Sequence, residues 1–157
     1  MVQTLSNNLL IRSVQPSDFA QWKLLWEGYN AFYGRKEETA LPEEITKMTW
    51  SRFFDEYEPM LALVAEYSGG LLGLAHFLFH RSTISLQSTC YLQDLFTLEG
   101  ARGKGIGRAL IEEVYRHAKR AGCHRVYWQT HETNTIAMKL YDKVAEKSGF
   151  LVYRKVL

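Results

Sequence analysis

Residues Arg102-Gly103-Lys104-Gly105-Ile106-Gly107 place three glycines on alternate positions, interleaved with cations, and Arg108 follows where a helical pattern begins. Glycine lets backbone N–H groups approach a ligand without a Cβ in the way and tolerates positive φ. A helix start adds unpaired N–H donors and about half a positive charge from the macrodipole. Together with the three cationic side chains this makes a cradle for a phosphate or pyrophosphate. A surface turn would explain the glycines but not the cations between them. The loop is not a Walker A sequence, because no G-x-x-x-x-G-K-[ST] string exists in the chain. It is not a dinucleotide fingerprint either: the glycines at 103, 105 and 107 have the wrong spacing, and the region about 20 positions on is the basic stretch CHRVYW.

Other residues carry chemistry at suggestive spacings. Gln93 and Asp94 are adjacent on a strand pattern, so only one of them faces a given side. Asp94 reads equally as a proton acceptor or as a residue hydrogen-bonded within its strand; an amide such as Gln93 cannot accept a proton near neutral pH. Asn134 and Tyr141 are seven apart, two turns along one side of a helix. Asn134 also suits a helix N-cap, and Tyr141 a core aromatic. Trp22, Trp26, Tyr29, Phe32 and Tyr33 recur at helical spacing and read first as core. His76 and His80, four apart in an apolar strand, have no further ligand at metal spacing and read as structural histidines. His131 and Glu132 read as solvated loop residues.

The elements that must position these groups follow from periodicity and punctuation. Asn8–Val14 reads as a strand, and a helix entered near Pro16 runs to Gly34. A second helix spans Pro42–Phe54, with Pro42 at its start and acids in its first turn. MLALVAEY, SGG and LLGLAHFLFH make a hairpin, and STCYLQDLFTL a further strand leading into the glycine loop. Helix Gly107–Ala121 follows, then a buried strand RVYWQT, a helix from Asn134 to Gly149, and a last strand FLVYRKV. This order predicts an α/β fold with a mixed sheet in a single domain over residues 1–157.

Bulk properties bound the function. The chain is 46% apolar and 23% charged, as in an ordinary soluble protein. No apolar run approaches the roughly 20 residues of a membrane span, and the N-terminus shows no signal-peptide core. Cys90 and Cys123 fit neither a metal spacing nor a disulfide framework, which points to free thiols in a reducing cytoplasm. Residues 1–99 hold seven Lys/Arg against twelve Asp/Glu, whereas residues 100–157 hold twelve against five. The split suits an anionic ligand on the C-terminal half and equally suits a solvated helix surface. Glu112, Glu113 and Glu132 interrupt the basic residues, which argues against nucleic acid.

Arg102 through Gly107 match the R/Q-x-x-G-x-G/A motif of the GNAT N-acetyltransferase superfamily. The element order above resembles that of GNAT domains along nearly the whole chain. YLQDLFT, RGKGIG, YWQTHETNTIAMKLYDKV and GFLVYRK resemble the branch of polyamine (diamine) and histone and polyamine acetyltransferases. The resemblance implies acetyl transfer from acetyl-CoA to a primary amine of a small molecule such as a polyamine, amino acid or lysine analogue, with CoA as product. A protein lysine or N-terminal acceptor and a non-catalytic acyl-CoA-binding module are the alternatives. Residues 102–108 would hold the pyrophosphate. The main-chain groups of Leu95, Phe96 and Thr97 would pair with the pantetheine arm and polarise the thioester carbonyl. Tyr141 would protonate the leaving thiolate, Asn134 would contact the cofactor, and Asp94 would serve the amine. The diamine enzymes carry two adjacent acids where this chain has Gln93-Asp94, which speaks against strong polyamine activity. Tyr29 and Tyr33 would line the acceptor site, with Glu27, Glu37 and Glu38 adding negative charge. The branch forms homodimers and some tetramers, often through C-terminal strands.

Overall fold

A computed structural model describes residues 8–157; the expectation that no leader segment is present concerns residues 1–7, outside that range. The elements are β1 (Leu9–Ser13), α1 (Phe19–Phe32), α2 (Glu43–Arg52), β2 (Met60–Tyr67), β3 (Gly70–His80), β4 (Thr89–Thr97), α3 (Ile106–Arg120), β5 (Arg125–Tyr127) and α4 (Thr135–Val144). The strands lie side by side in sequence order, antiparallel from β1 to β4 and parallel between β4 and β5. The fold is the expected α/β architecture with a mixed five-stranded sheet.

Strand alternation divides the apolar residues between two faces. On one, Leu63, Ala75, Phe77, Cys90 and Leu92 pack against Ile106, Leu110, Ile111, Val114 and Ala118 of α3. That helical set follows the 3, 4-residue repeat that buries one face of an amphipathic helix. On the other face Val64, Leu71 and Leu74 meet Trp22, Leu25 and Trp26 of α1. Gly28 lets α1 come down on the sheet, since a Cβ there would lie 2.8 Å from the Phe96 ring. Arg12 of β1 ties the start of α1 to the sheet through Asp18 at 2.7 Å and Glu66 at 2.6 Å.

Four local expectations are corrected. The strand expected over Phe150–Val156 does not form; its side chains are exposed and among the described residues it pairs with no strand, although the outer edge of β5 stays open. The last helix stops at Val144 rather than Gly149. The Tyr115 hydroxyl donates to the Val144 carbonyl, and Ala145 turns extended with its N–H bonded to the Tyr141 carbonyl. β5 pairs over only three residues and lies exposed at the sheet edge, not buried along RVYWQT. Asn134 stands at the N-cap position of α4 but does not cap it; its Nδ2 donates instead to Thr130 Oγ1 at 3.2 Å.

Candidate active site

The parallel ladder between β4 and β5 ends at Tyr91–Tyr127. Beyond that point the two chains separate, and a cleft of about 780 Å³ opens between Leu92–Leu95 on one side and Trp128–His131 on the other. β4 continues to pair with β3 up to Thr97, so of its backbone only the outer edge faces the opening. The side chains of Leu95 and Phe96 go to the two cores, which leaves main-chain groups to meet whatever enters.

At the end of β4 the chain turns through the glycine loop. Gly103 and Gly105 sit at φ of 76° and 84°, the left-handed region that a side chain strains to adopt. Gly105 is the N-cap of α3 and has no side chain to satisfy the first-turn N–H groups, which therefore remain available as donors. No atom lies within 4 Å of where a Cβ would stand at Gly103 or Gly105, so the cradle is open. Arg102 reaches back to the Thr97 carbonyl at 3.2 Å and lies over the Phe32 and Phe96 rings. Arg108 pairs with Glu112 at 2.9 Å along the helix surface, and Lys104 makes no ion pair among the described residues. The arrangement fits a pyrophosphate joined to a slender arm that lies along β4.

Asp94 is 8% exposed and lines the cleft. A bulge makes this placement possible: His76 pairs with Asp94 and Phe77 with Leu92, leaving Gln93 unpaired. Leu92 thus points to the α3 core while Asp94 points to the α1 side, and Gln93 is exposed at the cleft. His76 Nδ1 donates to Asp94 Oδ2 at 2.9 Å, and Trp22 Nε1 donates to His76 Nε2 at 3.0 Å. Because the indole nitrogen can only donate, Nε2 must accept, and the ring proton sits on Nδ1 facing the carboxylate. The histidine expected to be merely structural is therefore the orienting partner of Asp94. No local signal marks this pair, eighteen residues apart; only the β3–β4 register joins them. His80 lies apart, with Nε2 2.8 Å from the Tyr127 hydroxyl.

Tyr141 enters the cleft from α4, edge-on to Trp128 at 5.4 Å between ring centroids. Burial pushes its phenol up to about 12, so it keeps its proton across the neutral range. Tyr29 and Tyr33 line the other wall; burial raises both phenols, and the charge of Asp94 raises them further. Of the acids expected nearby, Glu27 pairs with Lys23 at 2.8 Å, and Glu37 and Glu38 are exposed; none of the three lines the cleft. Asn30, Arg35, Trp128, Gln129 and Arg154 line it without having been expected there. Arg35 gets there through Gly34, whose φ of 80° ends α1 and lets the Arg35 N–H bond the Asn30 carbonyl at 2.9 Å. Among the described residues no helix is long and apolar enough to cross a membrane, and no cluster of three His, Cys, Asp or Glu could hold a metal.

Residues 22–145 match the model of the acetyltransferase (GNAT) family. The D-amino-acid N-acetyltransferase HPA3 of Saccharomyces cerevisiae is 34% identical over 152 residues, covering 96% of this chain and 92% of the relative. The uncharacterized N-acetyltransferase YhfO of Bacillus subtilis is 28% identical over 145 residues, covering 91% and 94%. Among solved structures, a transcriptional regulator from Bacillus halodurans C-125 superposes with a TM-score of 0.80 at 20% identity, covering 95% of this chain and 99% of that one. The aminoglycoside N-acetyltransferase AAC(6')-Iy in complex with CoA gives 0.79 at 17% identity, covering 94% of each chain.

Proposed function

The chain belongs to the GNAT acetyltransferase family and is an acetyl-CoA-dependent N-acetyltransferase, and we propose that its acceptor is the primary amine of a small molecule held in the cleft between β4 and β5. A polyamine, an amino acid and a lysine analogue each present such an amine. The observation that carries the reading is the meeting of an oriented carboxylate, Asp94, and a protonated phenol, Tyr141, on the walls of one cleft.

Acetyl-CoA supplies the acetyl group as an activated thioester. Residues 102–108 would hold its pyrophosphate on the open N-terminus of α3. The outer main-chain edge of Leu95, Phe96 and Thr97 would hold its arm, and Asn134, at the start of α4, would contact the cofactor. An amine attacks only as the free base. Asp94 takes the proton from the acceptor ammonium, and His76 keeps its carboxylate turned to the cleft. As the C–S bond breaks, Tyr141 gives its phenolic proton to the departing sulfur, and the proton that the nitrogen loses on becoming an amide restores the phenol. Gln93, beside Asp94, offers a hydrogen bond to the acceptor but no proton transfer. Tyr29 and Tyr33 present ring faces and hydroxyls to a cationic amine. The aromatic walls, Trp26, Tyr29, Tyr33, Trp128 and Tyr141, suit a small acceptor better than a peptide.

The exposed apolar side chains of Phe150–Val156 and the open outer edge of β5 support a homodimer in which each copy's C-terminal segment adds to its partner's sheet. The reading places the enzyme in the cytoplasm, in keeping with two free thiols. The testing experiment is thiol release from acetyl-CoA across polyamines, amino acids, lysine analogues and basic peptides. Release with a small amine is the expected result. Release with peptides alone would move the acceptor to protein, and silence with tight acetyl-CoA binding would leave a cofactor-binding module.

A further inference from the structure

We propose that Arg35 is the carboxylate receptor of the acceptor site, so that the acceptor is an α-amino acid rather than a polycation. The proposal rests on the acetyl transfer reading for its chemistry and adds the residue that selects the substrate.

Arg35 is half-buried on the cleft wall. Its Nε donates to Asn30 Oδ1 at 2.7 Å, and the buried Asn30 is itself fixed by donating Nδ2 to the Trp26 carbonyl at 2.8 Å. The guanidinium lies over the Tyr29 and Tyr33 rings, 5.9 and 5.6 Å from their centroids. The side chain is thus held in place on three sides. Yet among the described residues it has no ion-pair partner, and its two terminal nitrogens make no hydrogen bond to the protein. A half-buried guanidinium is ordinarily matched by a carboxylate, whose two oxygens meet its planar fork. Here the fork is fixed and no carboxylate among the described residues meets it.

The other charges in the cleft point the same way. Asp94 is the single carboxylate among the lining residues, against the guanidiniums of Arg35 and Arg154. Asp94 raises the phenols of Tyr29 and Tyr33 while Arg35 lowers both, so one negative and one positive pole flank the same two rings. A zwitterion satisfies both poles, its ammonium on Asp94 and its carboxylate on Arg35. A polyamine or aminoglycoside would bring further ammonium groups beside an arginine with no acid to receive them.

The test compares alanine, leucine and phenylalanine, each in D and L form, with ethylamine, isoamylamine, phenethylamine and spermidine. Thiol release is measured for the wild-type enzyme, Arg35→Gln and Arg35→Lys, with calorimetric binding of the same amino acids in the presence of CoA. For wild type, kcat/KM is expected to favour at least one amino acid over its decarboxylated amine by roughly 10- to 100-fold, the ratio of one charge-assisted bidentate contact. Arg35→Gln is expected to raise KM for that amino acid by a similar factor, with kcat within about threefold and a several-fold smaller loss on the simple amine. Arg35→Lys, which keeps the charge and loses the fork, is expected to fall between. Equal losses on the amino acid and its decarboxylated amine would overturn the proposal, as would a preference for spermidine. In both cases the acetyl transfer reading would stand. If wild type releases no thiol with any amine, that reading fails; calorimetry then supports the carboxylate site if Arg35→Gln loses the binding and overturns it if no amino acid binds.

Discussion

Replacing His76 separates its two hydrogen bonds, and with them orientation from stability. Asparagine at 76 can set its amide NH2 near the place of Nδ1 and keep a donor for Asp94, but it offers Trp22 no acceptor at the position of Nε2. Glutamine reaches the position of Nε2 with its amide oxygen, accepts from Trp22 and leaves Asp94 without its donor. Each variant therefore strands one buried partner of a pair that now sits at 2.9 or 3.0 Å. A buried polar group left unpaired costs about 1–3 kcal/mol, which for a chain of this length lowers Tm by roughly 2–12 °C. The stability losses should be alike. The activities should not: His76→Gln frees the carboxylate and is expected to lose about 10- to 100-fold in kcat, part of the factor a positioned base supplies. His76→Asn should stay within about fivefold of wild type. Thermal melts and thiol-release kinetics on the two proteins decide it. Equal kcat losses in both, or losses that follow Tm, would refute the orienting role and leave His76 a packing residue.

Three further outcomes follow from the same geometry. Tyr141→Phe should lower kcat by about 100-fold with acetyl-CoA affinity within about twofold, and because the phenol is pushed up to about 12, wild-type kcat should show no alkaline decline from Tyr141 below about pH 10. Gly105→Ala forces a side chain to φ 84° at the N-cap of α3, which should cost about 1–2 kcal/mol of stability and raise KM for acetyl-CoA more than KM for the amine. Arg12 holds the Asp18 carboxyl below its ordinary range, its hydrogen bonds outweighing the opposing effect of burial. The stability this confers is complete above the unfolded carboxylate pKa near 4 and is lost as pH falls through the lowered folded value. Asp18→Asn should therefore be less stable by about 2 kcal/mol at pH 7, and the gap should narrow toward pH 2 in denaturant titrations.

What could be read from the chain, and what could not, divides by distance along it. The glycine loop was legible because its donors, its φ angles and the helix it starts all lie within ten residues of Arg102. The helical period put Tyr141 on α4, whereas Asn134 falls outside the helix at its N-cap position, with Nδ2 turned to Thr130. Strand alternation gave β1 to β4 and the α/β class. The pairing of His76 with Asp94 was hidden, because it depends on the β3–β4 register and on the bulge at Gln93, which turns Asp94 to the opposite face from Leu92. Arg35 was hidden for a similar reason: only the left-handed turn at Gly34 carries it back over Tyr29 and Tyr33. Phe150–Val156 has the composition of a strand, but a strand exists only beside a neighbour, and among the described residues this segment pairs with none.

The central claim is that Asp94 accepts the acceptor's proton in the cleft where β4 and β5 part. Asp94→Asn tests it most directly, since the amide matches the carboxylate in shape, can still accept from His76 through its oxygen, and cannot take a proton. The measurement is kcat by thiol release with an accepted amine, set beside acetyl-CoA affinity by calorimetry on the same protein. kcat is expected to fall by about 100-fold or more while the affinity stays within about twofold. A variant that keeps its kcat would contradict the account and place the proton acceptor elsewhere.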